Sequence, residues 1–292
     1  MRQGDLATRK SYGNDVIFRV QELDATRAVL RGVDFRLLAD APIADLSFMA
    51  PARDLDFPRY DLPRVNETIR SMRHFRQQLH RQNEDMVRTA LSGSTQYFEV
   101  PGKVLHLDGD PNYLRKSMNL YGELRIPADG FYVTESMMAS TLQRLLPQLK
   151  PDIVVVTGHD GLLKNRENNN VHELESYKNS VHFVKAVQVA RQYQSNRDAL
   201  TIVAGACQSH FEALLQAGAN FASSPARVLI HALDPLCIAA KVSYTSIRDT
   251  VSMVDLAGMT VTGLDGIGGL ETRGSYRMGV PRLSNLKAEP TV

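Results

Sequence analysis

The strongest constraint on the fold comes from two short apolar runs, each of which breaks off at a chemically reactive side chain. In the stretch IVVVTGHDG, residues 153–161, the apolar run breaks off at His159. In the stretch TIVAGACQS, residues 201–209, it breaks off at Cys207. Uninterrupted β-branched residues bounded by glycine are typical of a central strand in a parallel sheet that helices cover on both faces. Because functional loops lie at the carboxyl ends of such strands, we expect His159 and Cys207 to share one edge of a sheet.

From residue 101 onward, the chain alternates between strand-like and helix-like segments. That rhythm is typical of βαβ units, in which each crossover helix packs back onto a parallel sheet. It predicts an α/β domain over residues 101–292, with a mostly parallel sheet and helices on both faces. The predicted segments alternate strand and helix in the order 104–107, 111–124, 130–133, 137–149, 153–157, 177–194, 200–204 and 210–216.

The first hundred residues follow a different pattern. Short β-rich runs alternate with turn residues, which predicts a small antiparallel β-barrel-like module over residues 1–50. Residues 51–100 are first punctuated by proline and then helical, so we expect a helical connector there. One apolar stripe at helical spacing should face the rest of the protein; it consists of Ile69, Met72, Phe75 and Leu79.

Composition argues against several classes of protein. The 292 residues are 43% hydrophobic and 23% charged, as in an ordinary globular protein, and a net charge of +2 gives no reason to expect a nucleic-acid partner. No apolar run approaches the roughly 20 residues that span a bilayer, and the start of the chain lacks the apolar core of a signal peptide. Two cysteines are too few for a disulfide framework, and neither lies in a metal-binding spacing. We therefore expect a cytoplasmic protein without a membrane span, metal or cofactor.

Cys207 and His159 together indicate nucleophilic catalysis. A helix predicted to start near Ser209 would place Cys207 at its amino end, where the helix dipole lowers the pKa of a thiol and favours the thiolate. A neighbouring imidazole can then take or give a proton during attack on a carbonyl. We predict a Cys-His dyad with Cys207 as nucleophile and His159 as proton shuttle. His210, on the predicted helix, either touches the site or is solvated, and Cys237 lies in an apolar core run.

The two runs resemble a paired motif of the caspase-like cysteine peptidases, a clan that includes caspases, legumains, gingipains and clostripain. Those enzymes carry an apolar strand that ends in His-Gly and a following apolar strand that ends in Ala-Cys. Here VVVTGHDG and TIVAGACQS match the two blocks, except that Asp160 stands between His159 and Gly161. The resemblance implies a caspase-like sheet and an oxyanion hole built from the backbone N–H of Cys207 and that of either Asp160 or Gly161.

A longer resemblance covers nearly the whole chain. The segments GDLATRKSYG, HLDGD, NNNVHELESYKNS and GACQSHFEALLQAGANFASSP are similar to those of the YabG family of sporulation-specific proteases from spore-forming Firmicutes. The resemblance implies a cysteine endopeptidase whose partners are protein substrates of the spore coat and cortex machinery. It places the activity in the cytoplasm of the sporulating cell, next to the forming spore coat.

Specificity in caspase-like peptidases depends on a pocket beside the cysteine, where a carboxylate selects arginine or lysine before the scissile bond. The run 228–233 is predicted as a strand that ends at Asp234, so Asp234 is the first candidate carboxylate, although an ordinary helix cap explains it as well. Asp160 and Asp249 are weaker candidates. We predict cleavage after basic residues, and self-cleavage within residues 1–100 at loops such as those around Arg53 and Arg64.

Two other classes of protein stay open at this point. The run HLDGDP at residues 106–111 also ends a strand with acidic side chains, as in a flavodoxin-like domain that binds a cofactor or metal. A turn and a helix cap account for Asp108 and Asp110 equally. Alternatively, the chain is a non-catalytic scaffold of the spore coat that assembles through its N-terminal module.

Overall fold

The structure, a computed structural model, describes residues 2–49, 62–90, 97–163 and 170–279. The predicted β-rich start of the chain forms a five-stranded antiparallel sheet in the order β4-β3-β2-β1-β5. Its own apolar core includes Phe18, Val20 and Leu30. Among the described residues no ladder joins the two edge strands, so the sheet is open there rather than a closed barrel. Its strands are β1 (Leu6–Arg9), β2 (Phe18–Leu23), β3 (Arg27–Gly32), β4 (Leu38–Pro42) and β5 (Leu46–Met49).

A long helix, α1 (Leu62–Ala90), follows this sheet. The predicted apolar stripe is confirmed, because Met72 is buried in the larger core and the other three members pack against it. Arg64 lies within this helix and not in a loop, whereas Arg53 lies outside the described residues. Among the described residues no helix combines the length and the apolar character needed to cross a membrane.

In the remaining described chain, residues 104–217 alternate strands and helices as the sequence predicts, whereas strands follow one another without a helix between them at 98–108 and at 267–279. The elements are β6 (Phe98–Val100), β7 (Val104–Asp108), α2 (Pro111–Glu123), β8 (Ala128–Tyr132), α3 (Met138–Leu149), β9 (Ile153–Thr157), α4 (Ser180–Tyr193), β10 (Thr201–Ala204), α5 (Phe211–Ala217), β11 (Phe221–Ser223), α6 (Asp234–Tyr244), β12 (Thr250–Val251), α7 (Met253–Ala257), β13 (Ile267–Gly269), β14 (Thr272–Arg273) and β15 (Arg277–Gly279). Six of the strands form the central sheet, in the order β13-β11-β10-β9-β7-β8. All neighbours in it are parallel except β11 and β13, so the prediction of a mostly parallel α/β sheet is confirmed.

Alternate residues of the central strands fill two separate cores. In β9, Val154 and Val156 pack with residues of α3, α4 and α5, while Ile153 and Val155 pack with residues of α1, α2 and α6. This explains why the run IVVV carries no polar position: both faces of the strand are covered by helices. The predicted helices on both faces are therefore present, and the caspase-like label stays a prediction.

The predicted strand over residues 228–233 is wrong. The sheet position beside β11 is taken by β13, which comes from later in the chain. Residues 230–232 pair instead with residues 34–36, in the connection between β3 and β4, through an isolated antiparallel bridge between Phe35 and His231. An apolar run is thus buried by a neighbouring module and not by the sheet. Asp234 begins helix α6, with Pro235 in its first turn, as the helix-start alternative predicts.

Candidate active site

The carboxyl ends of β9 and β10 bring His159 and Cys207 to one edge of the central sheet. Val156 lies opposite Ala204 in the ladder, and each candidate residue lies three positions after its member of that pair. Both side chains are completely buried. Gly205 has a φ of +107°, a backbone conformation that favours glycine, and this lets the chain turn sharply out of β10 toward Cys207.

A short extended stretch of the N-terminal module, residues 34–38, lies over this edge; we call it the cap segment. On one flank, the carbonyl of Asp34 accepts a hydrogen bond from Ala232 N–H at 2.9 Å, and Arg36 N–H donates to the carbonyl of Ile230 at 3.2 Å. On the other flank, Leu38 N–H donates to the carbonyl of Asp160 at 2.8 Å. The cap segment is therefore held like a strand between the loop before α6 and the loop after β9.

The carbonyl oxygen of Arg36 accepts two backbone hydrogen bonds. One comes from Cys207 N–H and the other from Asp160 N–H, each over 3.2 Å. Gly161 N–H points elsewhere and donates to Oδ1 of Asp160 at 2.8 Å. Of the two alternatives for the second oxyanion donor, it is thus Asp160 that shares one oxygen with Cys207.

The Arg36 side chain is buried inside the protein together with its counter-ion. Its Nη1 and Nη2 donate to Oδ1 and Oδ2 of Asp108 at 3.1 and 3.0 Å, and Nε and Nη2 donate to the carbonyl of Ala232. The guanidinium carbon lies 4.9 Å from the ring centroid of Tyr113. Burial alone would raise the pKa of Asp108, but Arg36 and His106 outweigh it and lower that pKa to about 2. The carboxylate is therefore ionised, and the pair is bidentate and charge-assisted.

The thiol of Cys207 lies against the backbone of Ile230. Ile230 N–H donates to Sγ at 3.1 Å, and Sγ is 3.5 Å from the Ile230 carbonyl oxygen. Burial raises the pKa of the thiol to about 12, although nearby N–H groups of Ile230 and Arg36 act in the opposite direction. The expectation of a thiol pKa lowered by a helix is wrong for this state. The following helix, α5, begins only at Phe211 and has 7 residues, so burial dominates.

The imidazole of His159 is stacked on Tyr113, with ring centroids 5.3 Å apart and an interplanar angle of 25°. Its Nε2 lies 3.9 Å from Oδ2 of Asp110, and neither ring nitrogen has a hydrogen-bond partner in the described part of the chain. Its backbone is fixed by the carboxylate of Glu135, which accepts His159 N–H at 3.0 Å, and by Asn179, which donates to its carbonyl. Burial lowers the pKa of His159 to about 3, so the ring is neutral.

The side chain of Asp160 fastens the two loops of the site together. Its carboxylate accepts hydrogen bonds from Gly161 N–H, from Asn179 N–H at 2.8 Å, and from the hydroxyls of Ser180 and Ser209 at 2.5 and 3.0 Å. Burial raises the pKa of Asp160 to about 6 against the effect of these hydrogen bonds. None of these contacts is to the imidazole of His159, so Asp160 holds the turn whose N–H meets Arg36.

Asp234 is buried, and its carboxylate is occupied within its own loop. It accepts Val261 N–H at 2.7 Å, Thr262 N–H at 3.3 Å and the Thr262 hydroxyl. Its hydrogen bonds therefore do not go to Arg36, which binds Asp108 instead. The role of Asp234 in specificity stays a prediction.

His210 is buried, and its ring nitrogens are directed at neither Cys207 nor His159. It caps α5, since its Nδ1 accepts Ala213 N–H at 3.3 Å. Its Nε2 lies 3.0 Å from the carbonyl oxygen of His172. Cys237 lies in the middle of α6 and is fully buried, as expected for a core residue.

Comparison with known proteins decides the family. The chain matches the family described as YabG peptidase U57 over residues 2–281. It is 41% identical to the sporulation-specific protease YabG of Bacillus subtilis (strain 168) over 287 residues, which make up 97% of this chain and 98% of that protein. The chain belongs to the YabG peptidase family. No solved structure matches this YabG-family peptidase.

The sequence does not identify Arg36 or Tyr113 as residues of the YabG-family site. It also does not identify Asp108 as the partner of a buried arginine. Two signals were available. Arg36 is a lone charge in the otherwise apolar run FRLL, and Asp108 ends β7 much as His159 follows β9. The acidic run at 106–111 has ordinary explanations in part, because Asp110 caps α2 by accepting the N–H groups of Asn112 and Tyr113.

Proposed function

We propose that this YabG-family peptidase is a cysteine endopeptidase in which Cys207 and His159 form the catalytic dyad. The supporting observation is the meeting of Cys207 N–H and Asp160 N–H on one carbonyl oxygen, next to a cysteine and a histidine at the same sheet edge. Two converging backbone donors are what an acyl-transfer site offers to a developing oxyanion. The caspase-like character of the domain is part of the same proposal.

The reaction follows from these positions. Sγ of Cys207 attacks the carbonyl carbon of the scissile bond, and His159 takes the thiol proton. The carbonyl oxygen becomes negative between the two N–H groups, which are fixed and need no reorganisation at that moment. The C–N bond then breaks, and His159 passes its proton to the leaving amine. Water hydrolyses the resulting thioester and restores the thiol.

The proposed substrates are proteins of the forming spore coat and cortex, cut after basic residues in the cytoplasm of the sporulating cell. The similarity to the sporulation-specific protease of Bacillus subtilis supports the sporulation role. The placement of an arginine at the donors supports the basic preference. The proposal also includes self-cleavage, and neither a metal nor a cofactor takes part in it.

The flavodoxin-like alternative is less well supported, because the acidic side chains it needs are engaged within the protein. Asp108 binds Arg36, and Asp110 caps α2. The scaffold alternative predicts no peptidase activity at all, so it is separated from the proposal by the same assay.

The test is proteolysis of a mixed peptide library by the purified chain and by two matched cysteine variants. Cys207→Ala should abolish cleavage and keep the unfolding midpoint, because truncation of a small side chain at a loop opens little space. Cys237→Ala should keep cleavage whenever the variant is folded. Loss of activity in folded Cys237→Ala with retention in Cys207→Ala would overturn the assignment. Activity that resists alkylation and disappears with a chelator would favour a metal-dependent enzyme.

A further inference from the structure

The cap segment occupies the site in the manner of a peptide substrate. Extended peptides bind many proteins by adding a strand, with backbone hydrogen bonds for affinity and pockets for alternate side chains. Here residues 34 and 36 hydrogen-bond in antiparallel fashion to residues 230–232, and the carbonyl of Arg36 lies at the two proposed oxyanion donors. In a substrate, that position belongs to the carbonyl of the scissile bond.

The side chain of the same residue fills a pocket suited to arginine. The two oxygens of Asp108 meet two nitrogens of the guanidinium, the Ala232 carbonyl accepts from its inner side, and Tyr113 lies under its plane. Planar, bidentate recognition fits a guanidinium and not an ammonium group. A purely structural ion pair would not require the Arg36 carbonyl to sit on two backbone donors as well.

From this coincidence we propose that Arg36–Leu37 is a bond that the enzyme cuts in its own chain, that Asp108 is the carboxylate selecting arginine before the scissile bond, and that the uncut cap segment excludes other substrates. This inference rests on the proposed function. It replaces the loops around Arg53 and Arg64 with one defined bond, and it assigns to Asp108 the selecting role predicted for Asp234.

The step balances as an ordinary peptide hydrolysis. The bond that forms joins Cys207 Sγ to the carbonyl carbon of Arg36, and the bond that breaks is the Arg36–Leu37 amide. The thiol proton moves through His159 to the nitrogen of Leu37, which becomes a new amino terminus. One water molecule then cleaves the thioester, leaving a carboxylate on Arg36 and the thiol on Cys207.

The cut would fall in the hairpin connection between β3 and β4. These strands are paired from Arg27 opposite Pro42 to Arg31 opposite Leu38, so the two pieces stay associated after cleavage. A native measurement of size would therefore miss the event, and the products must be separated under denaturing conditions. Once the bond is cut, Arg36 is tethered from one side only and can leave the pocket.

The experiment follows the purified full chain over time by denaturing mass spectrometry and amino-terminal sequencing. We expect a fragment that ends at Arg36 and one that begins at Leu37, and neither in Cys207→Ala. Arg36→Gln should stop this cut, while Arg27→Gln, at an exposed arginine of the same hairpin, should not. Hydrolysis of an added arginine peptide should rise in proportion to the fraction of chains that are cut.

A second substrate keeps the test independent of folding. The synthetic peptide GVDFRLLAD, which copies residues 32–40, should be cut after its arginine, and the same peptide with glutamine there should be cut at least 100-fold more slowly. If the enzyme shows Cys207-dependent peptidase activity but yields no chain starting at Leu37, or is fully active before the cut, the further inference fails and the proposed function stands. If Cys207→Ala still cleaves, the proposed function itself fails.

Discussion

The ion pair between Arg36 and Asp108 offers a quantitative check, because it connects the cap segment to the central sheet. Both side chains are fully buried and share two hydrogen bonds of 3.0 and 3.1 Å. Arg36→Gln and Asp108→Asn each leave one buried charge without its partner. In the Cys207→Ala background, where we expect the chain to stay intact, each single variant should lower the free energy of unfolding by about 3 to 5 kcal/mol.

The double variant removes both charges together. It should lose less unfolding free energy than the two single variants lose in sum. Glutamine and asparagine can still hydrogen-bond to each other, so we expect a favourable coupling of about 2 to 3 kcal/mol between the two positions. Without such coupling, the pair would not hold the cap segment in place.

The same cycle has a defined pH dependence. The pKa of Asp108 is lowered from 3.8 to about 2 in the folded state, so its contribution to stability is present above pH 3.8 and is lost as the pH falls toward 2. A shift of this size corresponds to about 2 to 3 kcal/mol at neutral pH, since one pKa unit is about 1.4 kcal/mol. We expect the coupling to be full at pH 7 and much smaller near pH 2.

The assay is equilibrium urea unfolding, at several pH values, of the Cys207→Ala chain, its two single variants and the double variant. The free energies of unfolding are compared only where they depend equally steeply on urea concentration. Arg27→Gln is the matched control, because it removes an exposed arginine from the same hairpin and should change stability by less than about 0.5 kcal/mol. The buried ion pair, and with it the anchoring of the cap segment, would be refuted by losses of unfolding free energy that are strictly additive at pH 7. A coupling that stays the same as the pH is lowered toward 2 would refute it as well.

Three further predictions concern activity. His159→Ala should lower turnover roughly 10²- to 10⁴-fold, as expected for loss of general acid–base catalysis, while His210→Ala should have a far smaller effect; kcat on an arginine peptide measures both, and a reversed ranking would move the base to α5. Asp108→Asn should lower kcat/KM for arginine peptides, measured per cut chain, by about 30-fold to several thousandfold, the equivalent of 2 to 5 kcal/mol. Asp234→Asn should leave the arginine preference unchanged, and the opposite pattern would restore Asp234 as the selecting carboxylate. Iodoacetamide should label Cys207 at least 100-fold more slowly in uncut chains than in chains cut after Arg36, since the thiol is buried with a pKa of about 12. Mass spectrometry measures the labelling rates, and equal rates would show that the cap segment does not cover the thiol.

The architecture of the α/β region was accessible from the sequence because its determinants are local. Successive side chains of a strand point to opposite faces, so the run IVVV is buried completely only if helices cover both faces. This places β9 in the centre of the sheet. The neighbouring run of β10 then brings Cys207 to the same sheet edge as His159, because parallel strands joined by a crossover helix end at the same edge.

The errors arose where burial depends on a contact between distant parts of the chain. The run 228–233 is as apolar as a strand, yet its partner is the cap segment, and no periodicity within the run identifies that partner. The ion pair of Arg36 is also a contact between distant parts of the chain, because its carboxylate partner lies 72 positions away. A lone arginine between apolar residues signals that it needs a buried counter-ion but does not identify it.

The pKa values of Cys207 and His159 bear on when the proposed dyad can react. Burial is the largest cause of both shifts, raising the pKa of the Cys207 thiol to about 12 and lowering that of His159 to about 3. A neutral thiol and a neutral imidazole are poorly reactive toward an outside substrate. The cap segment needs only one reaction, and its carbonyl is already at the two donors, so proximity can compensate for the small thiolate fraction. Once the cap segment leaves, water reaches both groups and the main cause of the shifts is removed. A slow first cut followed by faster turnover is therefore what this arrangement of burial and hydrogen bonds predicts.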